Sequence, residues 1–197
     1  IPGLIRISIF HYFFGYIHPF YDGNGRTSRF ITSYYLAKIL HSLVAIRLSI
    51  TIKKSLRVYY KLFEDTNHPG NYGDLTPFIT GFLWLIQKST TRVNEILQER
   101  RKKLDALAQA LEIHYFGTAK NKADWKIYFV LLQAYLFSDD GATLKEIAST
   151  VGQSAKTIQT HIKRYPADHI TTNTTRRAHR YKLSTDFIKK LETLASK

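Results

Sequence analysis

Cysteine and methionine are absent from the 197 residues. Without cysteine there can be no disulfide and no thiolate metal site, which fits the reducing cytoplasm. A chain with no methionine, not even at position 1, is expected to be a piece of a longer protein. Proline is scarce, at five residues, which suits long uninterrupted helices. No uncharged apolar run reaches the ~18 residues that a membrane helix requires, and no secretory leader is read at the start. No internal repeat or low-complexity tract occurs. What the chain does have is apolar residues and positive charge. Apolar residues make up 44% of it and aromatics 14%, enough for packed cores and against global disorder. At this length it holds one or two domains.

The densest chemistry lies between His18 and Arg29, which read His-Pro-Phe-Tyr-Asp-Gly-Asn-Gly-Arg-Thr-Ser-Arg. A glycine-rich turn lets successive backbone N–H groups converge on an anion. A helix starting there adds its dipole and its free N–H groups. Asp22 is a hard carboxylate of the kind that shares Mg²⁺ with phosphate oxygens. Arg26 and Arg29, three apart, fall on one helical face and can grip a polyphosphate. His18 has the one side chain here whose ordinary pKa suits a base at neutral pH. No Gly-Lys-Ser or Gly-Lys-Thr follows the glycines, so this is not a Walker A loop. The bland alternative is an ordinary glycine turn capping a helix.

The run resembles the signature of the Fic family, H-x-F-x-[D/E]-G-N-G-R-x-x-R, with His18, Phe20, Asp22, Gly23, Asn24, Gly25, Arg26 and Arg29 filling every specified position. The resemblance implies an enzyme that moves a nucleoside monophosphate, usually AMP from ATP, to a Ser, Thr or Tyr hydroxyl of a target protein. It implies that His18 takes the hydroxyl proton and that Asp22 holds Mg²⁺. Gly23, Asn24 and Gly25 would cradle the α-phosphate, while Arg26 and Arg29 would bind the β- and γ-phosphates. Phe20 is expected to anchor the loop in the core. A kinase-like branch of the family carries lysine at the third motif glycine; Gly25 is glycine, which favours nucleotidyl transfer. Only 17 residues precede His18, so most of the N-terminal half of such a domain is expected to be missing. An inhibitory helix of the family has the pattern [S/T]-x-x-x-E-[G/N]. The stretch 91–95 ends with Ile96 in place of Gly or Asn and is read as an ordinary helix face.

Apolar periodicity predicts a helix over 4–17 that delivers His18. It predicts another over 25–40, with Phe30, Ile31, Tyr34, Leu36 and Ile39 supplying the apolar positions, and another over 50–64. The last carries Tyr59 and Tyr60. A tyrosine pair there is common near the nucleotide in the family, but core packing is the favoured reading. Residues 67–73 read as a loop. A helix start follows at 74–77, then one long helix or two joined helices over 77–113. His11, His41 and His68 have no partners at metal-ligand spacing. The charge run 98–103 reads as a solvated helix surface between two domains, and 116–122 as a boundary.

The tail carries a second pattern. Thr143 and Glu146 form a capping box. Ala148, Gly152 and Ile158 stand at the offsets of the small residue, the turn glycine and the buried aliphatic of a helix-turn-helix, with residues 154–164 as its second helix. His169–Thr172 and His179–Leu183 read as two strands of a wing, with Arg176, Arg177 and Arg180 at or near its tip. This resembles winged helix-turn-helix domains, which often follow Fic domains in bacteria. Half of the net charge of +14 sits on residues 141–197, which carry 11 basic and four acidic side chains. Such density points to nucleic acid or another polyanion; a merely solvated basic surface is the alternative.

The expected protein is therefore mainly α: a helical Fic core truncated at its N-terminus with a connector helix over 1–115, then a winged helix-turn-helix domain with a small β-hairpin over 123–197. The expected activity is protein adenylyl transfer with ATP and Mg²⁺. The alternative is a DNA-binding regulator whose Fic part senses nucleotide, with Lys156, Lys163, Arg176, Arg177 and Arg180 touching DNA. A target protein, DNA and a second copy of the chain are the expected partners, and a membrane is not.

Overall fold

The computed structural model describes residues 1–116, 122–175 and 178–196. It is mainly helical with one small sheet, and it divides into two compact units, Ile1–Leu97 and Gln98–Lys197. No helix among the described residues is long and apolar enough to cross a membrane.

The first unit contains α1 (Gly3–Ile17), α2 (Asn24–Ile39), α3 (Ser42–Lys54), α4 (Leu56–Asn67) and the first part of α5 (Thr76–Leu111). Its core is Ile7, Tyr12, Leu36, Leu48, Ile52 and Tyr59 against Phe78, Phe82 and Leu85 of α5. A buried polar thread runs through this core. His11 of α1 sets Nδ1 2.8 Å from the Thr32 hydroxyl of α2 and Nε2 2.8 Å from the Tyr59 hydroxyl of α4. Its ring stacks on Phe82 of α5 at 4.4 Å. Loss of solvation, helped by the nearby Arg29 charge, lowers the His11 pKa from 6.5 to about 3. The imidazole is therefore neutral at any physiological pH. Burial likewise raises the Tyr59 hydroxyl to about 12, against the pull of Arg29.

Two helical assignments change. The stripe of α2 that faces inward is Asn24, Ser28, Thr32 and Leu36, four apart. Phe30, Tyr34 and Ile39, which supply apolar positions in the sequence pattern, are 72%, 51% and 45% exposed. Small side chains on that stripe suit close packing of α2, and Ser33 ties it to α3 through the Ala45 carbonyl at 3.1 Å. The helix expected over 50–64 is two helices that break at Ser55, whose backbone is non-helical at φ −124° and ψ 31°. Neither glycine nor proline marks that break, so packing decides it. Tyr59 is buried, as core packing requires, while Tyr60 is exposed. The stretch 77–113 is one helix to Leu111, followed by a π-turn over Glu112–Phe116. It opens where Asp74 accepts from the Thr76 N–H at 2.9 Å, a bond that lowers the Asp74 pKa.

The second unit contains the rest of α5, then α6 (Lys122–Phe137), α7 (Leu144–Val151), α8 (Ala155–Arg164) and α9 (Thr185–Ala195). Strands β1 (Ala142–Thr143), β2 (Ile170–Asn173) and β3 (Arg180–Leu183) form an antiparallel sheet ordered β1-β3-β2. The hairpin expected from sequence is β2 with β3. The two-residue β1, pairing Ala142 with Tyr181, has no sequence signal of its own. Leu107, Ala110 and Leu111 of α5 belong to this unit's core, with Ile127, Leu131, Ile147, Ile158, Leu183 and Phe187. The capping box forms: the Thr143 hydroxyl accepts the Glu146 N–H, and Glu146 accepts the Thr143 N–H at 2.7 Å. Gly152 ends α7 at φ 79°, in the left-handed region that a turn between two helices requires. Residues 98–103 are exposed on α5, as a charged helix surface should be. The expected boundary at 116–122 lies mostly outside the described residues.

The buried imidazole makes stability depend on pH. Unfolded His11 titrates near 6.5 and folded His11 near 3. The unfolded chain therefore holds the extra proton between those values, and stability rises with pH across the window, by roughly 1.4 kcal/mol per unit from this group. Above it, His11 adds no slope. In His11→Gln, which can still bond Thr32 and Tyr59, the gain in urea midpoint from pH ~4.5 to ~6.5 is expected to shrink accordingly. An unchanged gain would show that His11 does not carry it.

Candidate active site

Residues His18 to Arg29 form one loop and one helix start. His18 closes α1 in the left-handed conformation, φ 53° and ψ 56°, with its N–H bonded to the Phe14 carbonyl. That turn ends the helix and throws the chain outward. The His18 side chain is exposed. Its Nδ1 approaches the Gly15 carbonyl at 3.4 Å, a long contact that suits the tautomer with the proton on Nδ1 and a lone pair on Nε2.

Asn24 holds the loop. Its side chain accepts from the Phe20 N–H at 2.9 Å and donates to the Phe20 carbonyl at 2.5 Å. It is only 4% exposed. The amide is thus engaged with the loop backbone, and an anion would meet the N–H groups of the helix start instead. Phe20, expected as a core anchor, is 51% exposed and leans on Phe14 with ring centres 5.9 Å apart. The polar clamp, more than the ring, pins the loop.

The start of α2 is electropositive. Gly23 precedes it at φ 84°, and no side chain caps it, which leaves first-turn N–H groups for an anion. Side chains on a helix lean toward its N-terminus, and both motif arginines do so. A Cβ on Gly23 would lie 3.7 Å from Arg26 Nη2, and one on Gly25 only 3.2 Å from Arg29 Nη1. Glycine at 25 therefore makes room for the Arg29 guanidinium beside the helix start. Asp22 faces this charge, with Oδ2 3.0 Å from Arg26 Nη2 and Oδ1 2.6 Å from the Gly23 N–H. Among the described residues no three His, Cys, Asp or Glu side chains gather as metal ligands. Asp22 alone could share a cation with ligand oxygens, as Mg²⁺ sites do.

Residues 1–36 match the model of the Fic/DOC family. The match contains the whole His18–Arg29 run. The chain is also similar to "Protein adenylyltransferase Fic" of Nematostella vectensis, 38% identical over 72 residues, which are 36% of this chain and 15% of that protein. The chain thus spans a small part of the relative's length, and the Fic likeness is carried by the first unit's loop and flanking helices.

The residues expected at DNA are scattered in kind. Lys156 and Lys163 are exposed on α8. Arg180 opens β3, and its Nη1 donates to the Gly141 carbonyl at 2.9 Å and lies 3.9 Å from Glu146; it fastens β3 beside β1. Arg176 and Arg177 lie outside the described residues. Sequence reasoning missed Thr32 and the role of His11. The seven-residue spacing of His11 from His18, two helical turns, is the signal that could have suggested a link.

If Asn24 is the clamp, Asn24→Ala leaves both Phe20 backbone groups without it. A loss of about 1–3 kcal/mol is expected, read from urea unfolding, with faster amide exchange at residues 20–23. Unchanged exchange there would mean that other contacts hold the loop.

Proposed function

We propose that this chain carries the catalytic loop of a protein adenylyltransferase. The observation behind the reading is the uncapped, glycine-led start of α2 with two guanidinium groups folded back toward it, and His18 in the loop that leads into it. In this reading the acceptor hydroxyl of a target protein gives its proton to Nε2 of His18 and attacks the α-phosphorus of ATP. The bond from the α-phosphorus to the bridging oxygen breaks, and pyrophosphate leaves. The Gly23–Gly25 backbone stabilises charge on the α-phosphoryl oxygens, and Arg26 and Arg29 take the β- and γ-phosphates. Asp22 would hold Mg²⁺, which neutralises phosphate charge when bound. Asp22 now pairs with Arg26, so binding exchanges one exposed ion pair for a cation and a polyphosphate.

Labelled ATP tests this in the full-length protein. Label at the α-phosphate should appear on protein, and label at the γ-phosphate should not. His18→Ala should lower labelling by ~10²-fold or more. Transfer of γ-label, or full labelling by His18→Ala, would overturn the assignment.

A second reading concerns the tail. Helix α7, the Gly152 turn, α8 and the β2–β3 hairpin support a winged helix-turn-helix reading, and α8 presents Lys156 and Lys163 seven apart on one exposed face. On that reading the tail binds DNA and the Fic part serves as a nucleotide sensor. Lys156→Ala and Lys163→Ala should each flatten the salt slope of DNA affinity by roughly one unit. Unchanged affinity and slope would favour a docking module for protein.

A further inference from the structure

A second electropositive site lies in the first unit, away from the motif loop. It is a cleft of about 530 Å³ between α3 and α5, and none of its lining residues belongs to the motif. Two helical stripes build it. Arg47, Thr51 and Lys54 recur on one face of α3, while Trp84, Lys88 and Arg92 recur on one face of α5. A buried hydrogen bond from the Ser89 hydroxyl to the Thr51 hydroxyl, 2.9 Å, pins the helices together beneath the cleft.

Its chemistry is one-sided. Four cations line it against a single carboxylate, Glu95, which Arg92 already holds at 2.9 Å. Arg47 lines the cleft, while its Nε is enclosed and has no hydrogen-bond partner. The start of α4 reaches the same cleft through Ser55. The Ser55 hydroxyl caps none of the α4 N–H groups and instead faces the Lys88 ammonium at 3.4 Å. Ser55 is both the end of α3 and the start of α4, so the two helix dipoles offset there and the preference for an anion comes from the side chains. Trp84, 45% exposed, supplies a flat apolar wall, and Lys88 Nζ sits 4.9 Å from its ring centre. Cations therefore stand beside a ring on which another ring can stack.

We infer that this cleft binds a phosphate monoester carrying an aromatic ring, of the nucleoside monophosphate class. The phosphate sits among Arg47, Lys54 and Lys88 near the start of α4, and the base lies on Trp84. Its volume is in the range of small-ligand pockets. The site is independent of the motif loop and of the transfer reaction proposed for it.

AMP is the probe. Only two tryptophans are present, so in a Trp125→Phe background the fluorescence reports Trp84 alone. AMP should change it saturably, at least ~10-fold more tightly than adenosine or inorganic phosphate, since each lacks one half of the recognition. Lys54→Gln with Lys88→Gln, both at exposed positions, should weaken AMP at least ~10-fold, and Arg47→Gln should do the same if it folds. Arg26→Gln with Arg29→Gln should leave this binding unchanged, which separates it from the motif loop. No saturable response to AMP, a response to adenosine of equal strength, indifference to the lysine changes, or a response to single-stranded oligonucleotide alone would each overturn the site.

Discussion

His11 is the constraint on which the first unit turns. One imidazole joins three helices by hydrogen bonds or direct stacking to its own: it bonds Thr32 of α2 and Tyr59 of α4 and stacks on Phe82 of α5. Both ring nitrogens are occupied, and the group is buried and uncharged. A buried polar group that is fully partnered fixes a packing more narrowly than an apolar one, because a shift leaves a donor or acceptor unmet. Two turns further along α1 the helix ends at His18. The thread that sets α1 against α2 therefore also fixes where α1 delivers the chain to the motif loop.

The candidate site then assembles from short-range parts. Asn24 ties the loop to the helix it precedes, Gly23 turns the chain, and Gly25 leaves room for Arg29. Positive charge at the helix start has three sources close together: the free N–H groups and two guanidinium groups. One carboxylate, Asp22, balances part of it. This division of labour explains why a match of only 36 residues can hold so much of the chemistry: function resides in the site more than in the fold around it.

The long-range parts behave differently. The cleft between α3 and α5 owes its charge to residues far apart in the chain, and no local motif announces it. Arg180 shows the same lesson in the second unit. Read from sequence it is one of three basic residues near a hairpin tip; in three dimensions its guanidinium fastens β3 beside the two-residue β1 through the Gly141 carbonyl.

Legible in the sequence alone were the helical class, the loop at 18–23, the capping box at Thr143, the Gly152 turn and the buried Ile158. Each is local: a periodicity, a cap or a backbone angle that a few neighbouring residues decide. The residues of the candidate site were legible for the same reason, because twelve consecutive positions contain them all. What only the tertiary structure decided is which faces are inside. Helix α2 buries Asn24, Ser28 and Thr32 and exposes Phe30 and Tyr34, since its neighbours approach closely on the small stripe and His11 requires a hydroxyl there. The chain breaks at Ser55 without glycine or proline, at a non-helical backbone that no local residue announces. Asn24 became a clamp and Phe20 a half-exposed ring for a like reason: a buried amide must find partners, whereas an aromatic ring at the surface pays no such penalty.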